Sequence, residues 1–378
     1  MVDKKYLETE EKILEKFLLK YQLKHLHQYN APLTFSFLIT ERCNLNCKHC
    51  FNHDNKYGKN ALTLDEYEKL AKSIGFFASG FFCGGEPFLR DDFCEIVSLF
   101  QKNCNMTWAS TTTNGQFTES ILRQTERICI NSCSKPFVLN FSLEGYEEQN
   151  DYIRGKGTYQ KCIETIYEAI KLRKIYHNLQ IGIVSTMNTF NEEILGKFFV
   201  DISKKINPDV ISLLLVRQNP RVGNQIKKVN PQNYLRAKEI LTQLFKNGKN
   251  GNYNSPKGYY PLAFYDIIEK TLKSNQREFF CYAGIHGAYI NYNGDVNPCE
   301  ILNDRHCCSE PLLMGNLRDY DMNFLELWNS QQAYLVRTQI NRHECCKHCT
   351  HETEGILPSI YFEPNSNIYK EIIRNVEK

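Results

Sequence analysis

The feature of this sequence that most narrows its fold is an alternation of strand-like and helix-like segments through residues 33–216. Apolar runs of strand length fall at Leu33–Ile39, Gly80–Cys83, Met106–Thr112, Phe137–Leu143, Leu179–Thr186 and Val210–Val216. Between them a helical period runs through Leu64–Ser73, Asp91–Gln101, Glu119–Arg127, Thr158–His177 and Asn191–Lys205. Thr63, ahead of Asp65 and Glu66, predicts an N-cap with acids in the first turn. Six strands separated by crossover helices predict an α/β fold, a parallel sheet covered by helices. Functional loops in such sheets lie beyond the carboxyl ends of the strands.

The flanks read differently. Leu7, Ile13, Leu14, Phe17, Leu18 and Tyr21 recur near the helical period, predicting an amphipathic N-terminal helix over residues 3–27. Residues 224–275 are polar and helical, with Pro231–Phe245 followed by a Tyr/Pro-rich stretch at Asn252–Phe264, and read as a bridge with some substrate-facing surface. From Cys281 the pattern changes. Ala288–Tyr292, the pair Asn293-Gly294, and Asp295–Pro298 predict a β-hairpin, then a helix around Asn323–Gln339 and cysteines at Cys345–Cys349. The expected division is an N-terminal helix (1–32), a barrel-like α/β unit (33–223), a helical bridge (224–275), a small α+β cysteine-rich unit (276–352) and a tail (353–378).

Composition decides what the cysteines are for. The 378 residues are 42% hydrophobic and 24% charged, with a net charge of +3, so neither a nucleic-acid nor a membrane surface is indicated. The longest apolar stretches are of strand length, too short to span a bilayer. The Lys- and Glu-studded first 30 residues do not form a signal peptide, so the expected compartment is the cytoplasm. In that reducing setting, 16 cysteines point to metal or redox work, not to a disulfide framework.

Three of them, Cys43-x-x-x-Cys47-x-x-Cys50, directly follow the first strand. Three thiolates can hold three irons of a [4Fe–4S] cube and leave the fourth open to an exogenous ligand. The same spacing also suits a zinc knuckle, with His49 or His53 as fourth ligand. The loop Cys43-Asn-Leu-Asn-Cys47-Lys-His-Cys50-Phe51, after Thr-Glu-Arg, resembles the signature of the radical S-adenosylmethionine (SAM) superfamily. Gly84-Gly85-Glu86-Pro87 after the second strand is similar to the family's segment for the SAM amino group; its glycines suit close backbone approach to a ligand and its carboxylate suits an ammonium. Thr113-Asn114-Gly115 ends the third strand as in relatives, where it lines the cofactor pocket. Ser142-Leu143-Glu144-Gly145 with Asp151-Tyr152-Ile153-Arg154-Gly155 resembles the pattern whose serine and arginine meet the SAM carboxylate and ribose, with Glu144 where Asp is usual. Phe51 matches an aromatic packed near adenine. Asn188, Asn191, Arg217 and Arg221 fall in the right region without a sharp match. The resemblance covers Thr34 to Gly223 and implies a partial (β/α)6 TIM-like barrel. It also implies a [4Fe–4S] cluster whose open iron binds SAM, and a flavodoxin- or ferredoxin-type reductant.

A second set, Cys281, Cys299, Cys346 and Cys349, suffices to close a metal site, whether structural zinc or an iron–sulfur cluster. The pattern Cys281–twelve residues–Gly294–four residues–Cys299, with Met314-Gly315-Asn316-Leu317, Leu327-Trp328-Asn329 and Cys346-x-x-Cys349, resembles a SPASM domain. With no cysteine after Cys349 it is closer to the shortened twitch form with one auxiliary [4Fe–4S] cluster. Cys345 can replace Cys346, and Cys307 or Cys308 can intrude. Cys83 is a candidate pocket residue, and His286, Tyr289, Arg217 and Glu300 are candidates for the cavity wall. The resemblance implies that one electron cleaves SAM to methionine and a 5′-deoxyadenosyl radical, which abstracts hydrogen from an unactivated carbon. The expected substrate is a small molecule of sugar, cyclitol or nucleotide type, with the auxiliary cluster as electron acceptor. The alternatives are a peptide or protein maturase of the ribosomal-peptide or sulfatase type, and a zinc or iron–sulfur binding protein without SAM chemistry.

Overall fold

The computed structural model describes residues 31–52, 60–104, 106–132, 135–247, 256–303 and 310–362. The helix expected over 3–27, His53, Cys133, Cys307, Cys308 and the tail beyond residue 362 lie outside them. Every residue of β1 (Thr34–Thr40) is buried, yet its two faces differ. Phe35, Phe37 and Ile39 face the helices, with Phe37 stacked on Phe82 at 5.0 Å and 4.4 Å from Phe100. Ser36 and Thr40 face the other way, as the two-residue period of a strand requires.

Five more strands follow in order and in parallel: β2 (Ser79–Gly84), β3 (Trp108–Thr113), β4 (Phe137–Ser142), β5 (Leu179–Met187) and β6 (Val210–Leu215). Between them run α1 (Leu64–Ile74), α2 (Phe93–Asn103), α3 (Thr118–Asn131), α4 (Glu147–Arg154) with α5 (Thr158–Ile175), and α6 (Leu195–Ile206). Thr63 caps α1 as expected, its hydroxyl accepting from the Glu66 N–H at 3.2 Å while its own N–H donates to the Glu66 carboxylate at 2.8 Å. Residues facing the helices are fully buried, whereas inward-facing Cys83, Thr112, Asn140, Thr186, Ser212 and Leu214 are only half-buried. The helices therefore cover one face, and the sheet curls round an accessible lumen as a partial (β/α)6 barrel.

The stretch expected to be helical forms α7 (Pro231–Lys246) and α8 (Pro256–Ser274), which pack on the barrel. A Cβ on Gly196 of α6 would meet Ile240 of α7 at 2.7 Å, and the Leu213 N–H of β6 donates to the Tyr265 hydroxyl of α8 at 3.2 Å. The hairpin of β7 (Gly287–Ile290) and β8 (Asp295–Asn297) does not turn on Asn293-Gly294 alone. Gly294 N–H donates to Asn291 O, and Gly294 sits at φ +92° as the residue that closes a longer turn. The single helix expected around Asn323–Gln339 is two, α9 (Phe324–Trp328) and α10 (Gln331–Ile340), because the Ser330 hydroxyl accepts from Ala333 N and starts a new helix.

The sheet does not stop at the barrel. β7 pairs in parallel with β1, Thr34 opposite Gly287 through Phe37 opposite Ile290, and β8 and β9 (Gly315–Asn316) continue it antiparallel. One nine-stranded sheet results, in the order β6-β5-β4-β3-β2-β1-β7-β8-β9. A π-helical turn, Glu352–Ile356, leads into α11 (Leu357–Phe362) and packs on β7, where a Cβ on Gly287 would meet that of Glu354 at 2.9 Å. Among the described residues no helix is long and apolar enough to cross a membrane.

Candidate active site

The loop leaving β1 brings Cys43, Cys47 and Cys50 together at the carboxyl end of the barrel. Cys50 N–H donates to Cys47 O at 3.1 Å. Burial pushes the thiols of Cys43 and Cys47 up to about 11 and about 12, and moves Cys50 upward too; Cys50 raises Cys43 further, and both raise Cys47. Cysteine ligates metal as the thiolate, so a site that crowds three largely buried thiols calls for a cation to relieve their repulsion. Among the described residues no three Cys, His or acidic side chains close on one point as ligands of a single ion do. A cube takes one thiolate per iron at separate corners and requires no such convergence. The His49 ring meets Glu144 Oε1 at 3.8 Å, and burial lowers it to about 4, so it is neutral near pH 7.

The Gly84-Gly85-Glu86-Pro87 loop packs against the start of this cysteine loop. Gly85 N–H donates to Thr40 O and Glu86 N–H to Arg42 O, both at 2.8 Å. A Cβ on Gly84 would lie 2.5 Å from Thr40 O, and one on Gly85 2.4 Å from Arg42 O. The glycines are thus required by the neighbouring backbone, not only by a ligand. The Glu86 carboxylate is fully buried and already accepts from the Thr113 hydroxyl, from Asn114 N–H, both at 2.8 Å, and from Phe88 N–H at 3.3 Å. Burial pushes it up to about 7. It knits the second and third strand ends together, so an ammonium arriving here meets the loop's backbone rather than an open carboxylate. Asn114 turns its amide to Asn44 Oδ1 at 2.8 Å and lies 4.0 Å from Cys43 Sγ. Pro87 starts the short helical turn after the loop, and Phe51 is half-buried beyond Cys50.

Arg154, at the end of α4, reaches the same place. Lys48 N–H donates to Ile153 O at 2.9 Å, and Arg154 Nη1 lies 3.9 Å from Cys47 Sγ. Its Nε and Nη2 both donate to Glu144 Oε1, at 3.0 and 2.5 Å. Burial pulls this guanidinium down, but Glu144 and the neighbouring Cys47 and Cys162 together more than offset it and hold the charge on. Glu144 Oε2 accepts from Thr186 N–H at 2.7 Å, and Asn191 donates to Glu144 O at 3.0 Å. Glu144, which stands where the family pattern has Asp, is the hub of this corner. Ser142 is buried at the end of β4 beside it.

The second set assembles on the far side of the β1–β7 pairing. Cys281, Cys299, Cys346 and Cys349 lie within mutual electrostatic reach, and after burial each of Cys299, Cys346 and Cys349 is raised by others of the four. Cys345 raises its neighbour Cys346 as well. Arg277, whose N–H donates to Lys347 O at 2.8 Å, offsets part of the crowded charge.

Between this set and the lumen stands a charged wall. Arg217, just beyond β6, donates to Glu300 Oε2 at 3.2 Å and Glu352 Oε2 at 2.8 Å. His351 pairs with the fully buried Glu354, and both Glu300 and Glu354 are felt by Cys83 on the lumen side. Among the described residues Glu352 Oε1 is buried without a hydrogen-bond partner, while Glu354 is also hydrogen-bonded by Ser36. Of the four cavity candidates, Arg217 and Glu300 face each other here. Tyr289 is wholly buried within β7, and His286 lies at the opposite end of the sheet, its carbonyl accepting from Leu33 and Thr34. Glu352 and Glu354 carry no motif and become neighbours of the lumen only through the π-turn.

Known proteins match on the same segments. The profile of the radical SAM superfamily covers residues 37–194, and that of the SPASM iron–sulfur cluster-binding domain residues 281–350. An AdoMet-dependent heme synthase from Methanosarcina barkeri is 24% identical over 318 residues, 81% of this chain and 84% of that protein. A GTP 3',8-cyclase from Syntrophomonas wolfei is 25% identical over 231 residues, 59% and 68% of the two chains. In fold, the chain overlays anSMEcpe with bound AdoMet at a TM-score of 0.57 and 18% identity, covering 92% and 95%. It overlays SuiB of Streptococcus suis bound to S-adenosylmethionine at 0.58 and 18%, covering 90% and 73%; both folds are also known with peptides bound. The chain is a radical SAM enzyme, a member of that superfamily with a SPASM domain, and its cofactors are a SAM-binding [4Fe–4S] cluster and auxiliary iron–sulfur binding in the C-terminal part.

Proposed function

We propose that this chain oxidises or rearranges a small molecule held in the barrel lumen, with Cys43, Cys47 and Cys50 holding the SAM-site cluster and Cys281, Cys299, Cys346 and Cys349 one auxiliary cluster. The observation that carries this reading is the second thiol set lying behind the lumen wall of Arg217, Glu300 and Glu352. Bound at these sites, the two clusters supply the electron that cleaves SAM to methionine and a 5′-deoxyadenosyl radical, and a sink for the electron the substrate gives up. The chain's own residues do the rest. Glu86 and Asn114 hold the SAM-side loops in register, Arg154 keeps a positive charge beside Cys47, and Ser142 with Phe51 completes that pocket. Glu352, whose Oε1 has no hydrogen-bond partner among the described residues, is the carboxylate we assign to take the proton that leaves as the substrate is oxidised.

Arg217 is already engaged by two carboxylates, so this wall suits a sugar- or cyclitol-like molecule better than a nucleotide phosphate. A polypeptide substrate is the second reading, favoured by the peptide-bound structures that share this fold. A low-potential flavodoxin or ferredoxin is the reductant we assign, in the cytoplasm. Anaerobically reconstituted protein is expected to hold about eight irons and to form 5′-deoxyadenosine from SAM under dithionite. Replacing Cys281 and Cys346 together by Ser should leave about four irons with SAM cleavage intact but no substrate oxidation. Iron that stays near eight in that variant would overturn the auxiliary ligand set.

A further inference from the structure

The loop leaving β6 reaches both thiol sets within a few residues. Arg217 engages Glu300 and Glu352 beside the second set. Four residues on, Arg221 turns to the first. Its backbone N–H donates to Cys50 O at 2.7 Å, and the next N–H, of Val222, to Lys48 O at 3.2 Å. Its guanidinium Nη2 donates to Asn52 O at 2.5 Å, and the Asn52 amide in turn donates to Glu41 O at 3.2 Å. Arg221 thus holds the carbonyls of Cys50 and Asn52, and its neighbour Val222 that of Lys48. Cys50 Sγ lies 3.7 Å from the same Asn52 carbonyl that the Arg221 guanidinium bonds, so the charge and the sulfur share one acceptor. Arg154 Nη1 lies 3.9 Å from Cys47 Sγ. Each of these two thiols therefore has a guanidinium close by.

We propose that Arg221 is a positioning residue for the SAM-site cluster: it fixes the Cys50 loop and, as a charge beside that sulfur, helps set the potential at which the cluster is reduced. Reduction adds one electron from a low-potential donor and no other atom. A fixed positive charge a few ångströms from one sulfur stabilises the reduced form more than the oxidised one, and so raises the potential. Arg suits this task because its planar fork bonds a carbonyl while its charge stays on at any working pH. The proposal rests on Cys50 being a cluster ligand.

The test is a redox titration of the reconstituted full chain, following the SAM-sensitive signal by electron paramagnetic resonance. Arg221→Gln keeps both backbone hydrogen bonds and removes the charge; its SAM-site midpoint should move to a more negative potential while the auxiliary signal stays in place. Arg221→Lys should return the midpoint most of the way to wild type. A midpoint unmoved in Arg221→Gln at full iron content overturns the proposal, as does an equal shift in both variants. Should Arg221→Gln lose the first cluster while Arg221→Lys keeps it, the charge requirement stands; loss in both makes the residue purely structural and refutes it. A Cys50→Ala chain that retained the SAM-sensitive signal would instead remove the premise, a distinguishable result.

Discussion

Glu144 and Arg154 form the ion pair on which the SAM-side corner depends. Glu144 is fully buried and the Arg154 side chain 11% exposed, so removing one partner strands the other's charge away from water. Arg154→Met is expected to cost the cluster-free chain on the order of 3–5 kcal/mol in urea unfolding. A cost under about 1 kcal/mol, the range of exposed pairs, would mean that water screens the pair. Glu86 makes a second prediction, with pH as the variable. Its folded value, raised by burial to about 7, lies above its ordinary value of 4.5. Below pH 4.5 both states are protonated and no penalty arises. As pH climbs from there to 7 the unfolded chain ionises first, and stability falls by up to roughly 3 kcal/mol, then levels off. Glu86→Gln should flatten that slope in denaturant midpoints measured across pH 4–8. Neither partnership was legible beforehand. The motif identified Glu86 and Arg154 as candidate SAM contacts, but only the meeting of three loops shows that Glu86 binds Thr113 and Asn114.

Elements were legible where one face of the chain is buried at a regular period. Phe35, Phe37 and Ile39 alternate with Ser36 and Thr40, and the strand appears where that alternation runs. The short α4, Glu147–Arg154, escaped because only Asn150 and Ile153 of its eight residues are buried, too few to set a period. The Gly84-Gly85 turn belongs to this scale as well. Gly85→Ala would drive a Cβ into the carbonyls of Arg42 and Glu41, at 2.4 and 2.6 Å. Backbone atoms cannot swing aside as a side chain can, so residues 40–43 must shift. Expected results are a loss of about 1–3 kcal/mol and impaired loading of the first cluster, read from iron content and visible absorption. Full loading at wild-type stability would mean that the loop relaxes without moving Cys43.

At the scale of the whole molecule, the C-terminal part is joined to the barrel by strand pairing and by charge. β7 adds to β1, and Arg217 beyond β6 holds Glu300 and Glu352 across the lumen. Arg318 adds a further tie by donating to Glu66 at the start of α1. Calorimetry of the cluster-free chain should therefore give one cooperative transition, and Arg217→Met should lower it as a unit; two separate transitions would contradict a shared sheet. The sequence by itself determined the strand and helix order, the two cysteine sets and the loops at the carboxyl ends of the strands. Local periodicity and short-range spacing encode these. Tertiary structure alone decided that β7 extends the barrel sheet, that Arg217 and Arg221 each lie beside a different thiol set, and that Glu352 and Glu354 gather at the wall with Arg217. Those facts rest on pairings between residues far apart in the chain, and they become visible only when folding brings them within hydrogen-bonding distance.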